Sequence, residues 1–62
     1  MCESSVFIEK EGNRELLMDD VVRVDIDGEE IKLTGILGET QATKGQVKEI
    51  NLMTHTIVIE IL

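Results

Sequence analysis

The chain has 62 residues, which predicts one domain over residues 1–62. Thirteen acidic side chains against six basic ones give a formal net charge of −7, which opposes binding to polyanions such as nucleic acids. No apolar run approaches the ~20 residues needed to span a bilayer, and the first residues lack the basic and apolar regions of a signal peptide. A single cysteine is typical of a reducing compartment. We therefore expect a cytoplasmic protein.

The composition favours β-strands and predicts a need for support beyond one core. Eight isoleucines and six valines stand against one phenylalanine and no tyrosine or tryptophan, and β-branched residues fit pleated surfaces. A chain of this size buries only about 60% of its unfolded surface. One cysteine excludes a disulfide within the chain, so self-association or a metal is the expected additional support.

Two strands are predicted before residue 19. Ser4 to Lys10 forms the first, and Gly12 with Asn13 forms the centre of a turn, because both residues tolerate a positive φ. A short second strand, Glu15 to Met18, would then end at Asp19-Asp20. This register sets Lys10 opposite Glu15, Ile8 opposite Leu17 and Phe7 opposite Met18.

The next hairpin is indicated by Asp27-Gly28, a typical two-residue turn. Val21 to Ile26 alternates before it, with Val22, Val24 and Ile26 on one face. With Asp27 and Gly28 as the central pair, Val24 lies opposite Ile31 and Val22 opposite Leu33.

The remaining strands are less regular. Gly35 and Gly38 predict a bend at a barrel corner, and Glu39 to Lys44 is a short edge strand or a loop that ends at Gly45. The final pair joins Gln46 to Met53 with Thr56 to Leu62 around Thr54-His55. That register sets Leu52 opposite Ile57, Ile50 opposite Ile59 and Glu49 opposite Glu60. Thr-His suits a two-residue turn poorly, so a longer loop with a bulge is the alternative.

No stretch keeps a helical period of 3.6 residues. Six or seven short strands in one small domain predict an all-β fold, an SH3-like or Sm-like antiparallel barrel, since closure removes exposed edges. A small sandwich is the alternative.

Cys2 is the residue that most suggests chemistry, because it precedes the first apolar strand rather than lying within it. Its thiolate and nearby main-chain nitrogen, such as that of Glu3, together suit the tetragonal preference of Ni(II) or Cu(II). Removal of Met1 would place the α-amine on Cys2 itself. One chain offers too few donors, whereas two chains related by a twofold axis offer a complete set. The residues alone leave open an exposed, inert cysteine near a frayed terminus.

Other candidate sites are weaker. His55, the only histidine, falls in a predicted turn and is interpreted as a solvent-exposed residue. The acids around the Asp27-Gly28 turn lack the spacing of a calcium-binding EF-hand loop. One cysteine and one histidine far apart in sequence imply no catalytic triad, so we predict no enzyme.

The whole chain resembles the CooT proteins. The residues that carry the resemblance are the Met1-Cys2 start, the segment Asp19-Asp20-Val21-Val22-Arg23-Val24, and the segment Gly45-Gln46-Val47-Lys48-Glu49-Ile50-Asn51-Leu52. The resemblance implies a small SH3-like homodimer that binds Ni(II), with Cys2 as the essential ligand, main-chain nitrogen at Glu3 as co-ligand, and one nickel shared between two chains.

The resemblance also implies a partner and a function. Some CooT proteins are associated with nickel delivery to carbon monoxide dehydrogenase, which indicates a metallochaperone or nickel reservoir that serves this or another nickel enzyme. The family has also been described as RNA-binding. The alternative function is therefore a small RNA-binding or protein-interaction barrel without a metal, although a net charge of −7 and one aromatic residue do not favour binding to RNA.

Overall fold

Five β-strands close into a barrel in the computed structural model, which describes residues 3–61. The prediction of a small all-β barrel is confirmed. No helix within these residues is long and apolar enough to cross a membrane. In chain order the strands are β1 (Ser4–Lys10), β2 (Asn13–Asp27), β3 (Glu30–Gly35), β4 (Thr40–Asn51) and β5 (Thr56–Ile61).

Each strand pairs with its neighbours in sequence, and β1 closes the ring against β5. The four sequential pairs are antiparallel. The closing pair of β1 and β5 is parallel, with Ser5 opposite Thr56 and Glu9 opposite Glu60. The sequence predicted an antiparallel barrel, whereas this one pair of strands is parallel. As a result, β1 and β5 begin at the same end of the barrel.

The structure has five strands rather than six or seven because β2 and β4 continue through positions predicted to end strands. In β2, Asp20 takes a left-handed conformation with φ of 54°, which an aspartate tolerates better than most residues. Its carbonyl accepts a hydrogen bond from the Ile36 amide at 2.9 Å. These features bend one long strand so that it pairs first with β1 and then with β3.

Gly45 continues β4 in the same way instead of ending a strand. A Cβ atom at this position would collide with the carbonyl oxygen of Glu60, so a glycine lets β4 approach β5 closely. The Gly45 amide also donates to the Glu29 carbonyl at 2.9 Å. The first part of β4 pairs with β3 and the second part with β5.

The first two hairpins exist as predicted, but the centres of their turns differ. The first turn is Glu11-Gly12, with φ of 53° and 82°, so that Lys10 lies opposite Asn13 rather than Glu15. The second is Gly28-Glu29, which pairs Val24 with Leu33 rather than Ile31. In both turns glycine has a positive φ, as predicted. Gly12 is the second rather than the first central residue of its turn, and Gly28 is the first rather than the second.

The final hairpin has the longer loop that the sequence left open. Four residues, 52–55, connect the strands, and a register shift lies between Val47 and Glu49. The predicted pairs of Leu52 with Ile57 and Glu49 with Glu60 are wrong. Ile50 lies opposite Ile57, and Glu60 lies opposite Gln46, so two like charges do not face one another.

The core draws on four of the strands. Its buried cluster comprises Val6, Val21, Ile31, Leu33 and Ile59. A register shift between Val21 and Arg23 interrupts the alternation of β2, so Val21 is buried while Val22 and Ile26 are exposed. Of the predicted face of Val22, Val24 and Ile26, only Val24 packs against the core, and it is partly buried.

Candidate metal site at the start of the first strand

Cys2, the predicted metal ligand, lies outside the described residues, as does Met1. Glu3, the predicted source of main-chain nitrogen, is the first described residue; it is half-buried and directly precedes β1. The candidate site can therefore be described through the surroundings of the start of β1.

Two strands hold the start of β1 from either side. Ser4 lies opposite Val21 of β2, and the Ser5 amide donates a hydrogen bond to the His55 carbonyl at 2.9 Å. The Ser5 hydroxyl donates to Asp19 Oδ1 at 2.7 Å. The start of β1 thus lies between the bend of β2 and the loop before β5.

Asp19 is the charged group fixed beside this entry. Its Oδ1 atom accepts hydrogen bonds from the Ser5 hydroxyl and from the Asp20 amide at 2.9 Å. These bonds, that from Ser5 foremost, hold the pKa of the Asp19 carboxyl below its usual value, because they stabilise the charged form. The carboxylate therefore secures the bend of β2 against β1.

His55 lies beside the same strand. It is exposed, as the sequence predicted, and its φ of 54° places it in the left-handed region. The sequence missed its proximity to the start of β1, because that proximity depends on the parallel pairing of β1 with β5. The one available signal was that the first and last strands of a closed barrel must meet.

Two of the acidic residues around the second hairpin have structural positions in the strands. Asp25 Oδ1 forms an ion pair with Arg23 Nε at 3.0 Å, and Asp27 lies opposite Glu30 next to the turn. Across residues 3–61, no three histidine, aspartate or glutamate side chains converge as a metal-binding group.

A cluster of charges that the sequence did not predict lies on β1, β2 and β4. Glu9 is only 7% exposed, and its carboxylate pairs with Lys48 Nζ and, at 2.8 Å, with Arg14 Nε. Arg14 also reaches Glu49 at 3.3 Å. The hydrogen bond from Lys48, and next that from Arg14, hold the pKa of Glu9 below its ordinary value, and Glu9 in turn raises the pKa of both cations.

This cluster links neighbouring strands and is not arranged to bind a reactant. Glu9 lies directly opposite Arg14 in the β1–β2 ladder, and Lys48 lies at the register shift of β4. Both acceptor oxygens of the Glu9 carboxylate are occupied by cations of the same chain. The fold thus defines a small β-barrel protein in which the charge cluster around Glu9 links three strands.

Comparison with known proteins places this barrel in a family. The family model of the CO dehydrogenase accessory protein CooT matches residues 1–60. The chain therefore belongs to the CooT family, and the family resemblance in the sequence is confirmed. Because this family consists of accessory proteins of CO dehydrogenase, the prediction that the chain is not an enzyme is confirmed as well.

Three of the similar proteins show how far the likeness extends. The crystal structure of a protein assigned as CooT from Carboxydothermus hydrogenoformans superposes with a TM-score of 0.89 at 30% identity and covers 98% of both chains. An uncharacterized protein of Archaeoglobus fulgidus is 42% identical over 43 residues, 69% of this chain and 96% of that protein. One from Methanothermobacter thermautotrophicus is 35% identical over 60 residues, 97% of this chain and 89% of that protein.

Proposed function

We propose that the chain binds Ni(II) as cargo and serves as a nickel metallochaperone or reservoir in the maturation of carbon monoxide dehydrogenase or another nickel enzyme. In this proposal Cys2 supplies a thiolate, and main-chain nitrogen at Cys2 and Glu3 completes a square-planar site shared by two chains in a cytoplasmic homodimer. The observation that carries the proposal is the match of the CooT family model over residues 1–60, a range that contains both ligand positions.

The donor set fits the proposed ion. Thiolate and nitrogen donors in a plane suit the tetragonal preference of Ni(II). Each donor must lose a proton before it binds, so the affinity for nickel falls at acid pH. One thiolate and one main-chain nitrogen, that of Cys2 or of Glu3, from each chain give four donors, which a twofold axis supplies from one pair of chains.

The barrel supports this arrangement through the start of β1. Hydrogen bonds from Ser5 to His55 and Asp19 fix the third residue after Cys2 against two different parts of the chain. The anchored start of β1 lies at one end of the barrel, where β5 also begins, and two barrels can bring such ends together without opening a strand pair.

The alternative, an RNA-binding barrel without a metal, finds little support in the charges. Of the six basic side chains, three are paired with carboxylates of the same chain, namely Arg14, Arg23 and Lys48. A phosphate would have to displace those carboxylates before these cations could add to its affinity. A protein-interaction role without a metal would instead be indicated if the wild-type protein bound no nickel in the titration described next.

A nickel titration followed by absorbance tests the proposal. The wild-type protein should develop a thiolate-to-nickel charge-transfer band that saturates at one nickel per two chains, and Cys2→Ser should lose the band. A matched control combines Cys2→Ser with Ser4→Cys, which keeps one thiol but moves it by two residues; it should not restore the band. Equal nickel binding by wild type and Cys2→Ser would contradict the site.

Sedimentation tests the shared ligand set. The nickel-loaded protein should sediment as a dimer, and a monomer in both the nickel-free and the loaded form would contradict a site built from two chains. Electrophoresis of a labelled RNA oligomer with the nickel-free protein addresses the alternative. A salt-dependent shift of the RNA would favour the RNA-binding function.

A further inference from the structure

Two loops of the barrel each expose a pair of consecutive large apolar side chains. The loop between β3 and β4 exposes Ile36 and Leu37, and the loop between β4 and β5 exposes Leu52 and Met53. Their exposed fractions run from 53% at Ile36 to 92% at Met53. Single apolar side chains on a surface are ordinary, whereas grouped ones mark sites of interaction. These four residues are called the apolar patch.

Both loops of the apolar patch open from the same end of the barrel. Ser5 lies opposite Thr56, the first residue after the loop between β4 and β5. Its neighbour Ser4 lies opposite Val21, and Val21 lies opposite Gly35, the last residue before the loop between β3 and β4. The start of β1 therefore lies between the two loops.

Hydrogen bonds fix the loop between β3 and β4. The Ile36 amide donates to the Asp20 carbonyl at 2.9 Å, and the Gly35 amide donates to the Glu39 carbonyl at 2.8 Å. The Leu37 amide donates to Glu39 Oε1 at 3.0 Å. The main chain that carries the two apolar side chains is thus held in one conformation.

The loop between β4 and β5 is fixed in a similar way. Asn51 Oδ1 accepts hydrogen bonds from the Met53 amide at 3.0 Å and the Thr54 amide at 3.1 Å. The His55 carbonyl accepts one from the Ser5 amide at 2.9 Å. A surface with ordered loops loses less conformational entropy when it binds a partner. Both halves of the apolar patch are therefore preorganised for contact.

The charged side chains in the segments of this end are all acidic. These segments, residues 3–5, 17–22, 34–41 and 51–56, contain no lysine or arginine. Their acids are Glu3, Asp19, Asp20 and Glu39. Two basic residues lie near these segments and are already paired, Arg23 with Asp25 and Arg14 with Glu9 and Glu49. The end therefore combines exposed apolar side chains with an excess of negative charge.

We propose that the apolar patch is a docking site for an amphipathic basic segment of another protein. The apolar side chains of that segment pack on the patch, and its lysines or arginines pair with Asp20 and Glu39, which are exposed beside it. Methionine is enriched at protein interfaces, and charged residues are depleted at their centres, as they are in the patch.

A second copy of this chain fits the apolar patch less well than a basic segment. Two copies that meet through the patch set Asp20 and Glu39 against the same acids, and like charges across an interface oppose binding. The inference does not rest on nickel binding. The proposed nickel dimer requires only that two starts of β1 meet, not that the loops pack on one another.

Fluorescence anisotropy of labelled peptides tests the chemistry of the partner. The probe is an amphipathic peptide of about 14 residues, roughly four helical turns, with leucine on one face and lysine on the other. It is titrated with the nickel-free full chain. A second peptide carries glutamate in place of every lysine, and a third carries serine in place of every leucine. The leucine–lysine peptide should bind at least about tenfold more tightly than either, and equal affinity for any two of these peptides would overturn the proposal.

Substitutions in the two loops test the position of the site. Leu37→Ser and Met53→Ser should each raise the Kd of the leucine–lysine peptide about fivefold or more, because large side chains at the centre of an interface carry most of the binding energy. The matched control is Ile26→Ser, since Ile26 is 59% exposed and lies beside the turn at the opposite end of the barrel. It should bind like the wild type, and an equal loss in all three variants would place the peptide elsewhere.

A pair of charge variants tests the acidic rim. Asp20→Asn with Glu39→Gln removes two carboxylates but keeps a residue that tolerates the positive φ at position 20 and an acceptor for the Leu37 amide. The Kd should rise about threefold or more, and binding should become less sensitive to salt. Glu15→Gln with Asp27→Asn makes the same change in net charge at the opposite end and should leave the Kd unchanged. Equal losses in the two pairs would attribute binding to net charge and contradict a docking site.

Sedimentation separates a basic partner from a second copy. Nickel-free wild type and Leu37→Ser should sediment alike at the same concentration. A nickel-free dimer that Leu37→Ser dissociates would assign the apolar patch to a second copy and refute the proposal. The thiolate-to-nickel band of the wild type is measured separately, so the docking site and the proposed function can fail independently.

Discussion

Leu33 is one of the large, fully buried side chains that stabilise the barrel. It belongs to the core cluster with residues of β1, β2, β3 and β5. A Leu→Ala change in such a position removes apolar contacts and leaves a cavity, at a cost of about 2–5 kcal/mol. A chain of this length has roughly 3–9 kcal/mol of unfolding free energy in total, at about 0.05–0.15 kcal/mol per residue.

Urea denaturation measures the effect. With a slope of about 1 kcal/mol per molar urea, Leu33→Ala should lower the midpoint by about 2 M or more, which leaves a marginally folded chain. The protein concentration must be held constant, because self-association adds to apparent stability.

The matched control is Leu52→Ala, the same substitution in the loop before β5, where the side chain is 79% exposed. We expect its free energy of unfolding to stay within about 0.5 kcal/mol of the wild type. If the two variants lose equal stability, the placement of Leu33 in the core and of Leu52 on the surface is wrong.

Three further predictions concern charge, closure and metal. Because the folded pKa of Glu9 lies below its ordinary value of 4.5, its carboxylate stabilises the fold fully above about pH 4.5, and this contribution disappears as the pH falls through the lower folded pKa. Denaturation at several pH values should therefore show that the difference in stability between wild type and Glu9→Gln shrinks on acidification. A constant difference would contradict the ion pairs. Gly45→Ala should cost about 1–3 kcal/mol, as overpacking does, and speed hydrogen exchange of the β4–β5 amides, whereas unchanged exchange would contradict the close approach to Glu60. Nickel at a hundredfold excess over its Kd should stabilise the wild type by up to about 2.7 kcal/mol but stabilise Cys2→Ser less, because that variant lacks the proposed thiolate. Equal stabilisation, measured at matched protein concentrations, would contradict the role of Cys2.

Local signals in the sequence predicted the hairpins but not their registers. Asp27-Gly28 correctly indicated a turn between β2 and β3, yet the centre lies one residue later, at Gly28-Glu29. That shift moves the register by two residues, so Val24 pairs with Leu33. Glycine fixes where a positive φ is available, whereas the packing of the whole barrel decides which turn position uses it.

Long-range features could not be predicted from local patterns. Asp20 and Gly45 had the signals of strand ends, and each instead allows one strand to serve two neighbours. The parallel pairing of β1 with β5 joins residues about fifty positions apart. The environment of His55 and the charge cluster around Glu9 both follow from such pairing, so neither could be found by reading along the chain.

The chemistry proposed for the candidate site comes from the sequence, whereas its surroundings come from the structure. The position of Cys2 ahead of the first strand suggested a ligand, and the family resemblance assigned it to nickel. The hydrogen bonds of Ser5 with Asp19 and His55 required the closed barrel, because they join residues from three separate parts of the chain.

X-ray absorption at the nickel K edge tests the central claim most directly, since it identifies the atoms bound to the metal. The nickel-loaded wild-type protein should show two sulfur donors per nickel together with nitrogen donors in a planar arrangement, and Cys2→Ser should show no sulfur. A wild-type spectrum that contains only nitrogen and oxygen donors, and that matches the spectrum of Cys2→Ser, would contradict a nickel site built on Cys2.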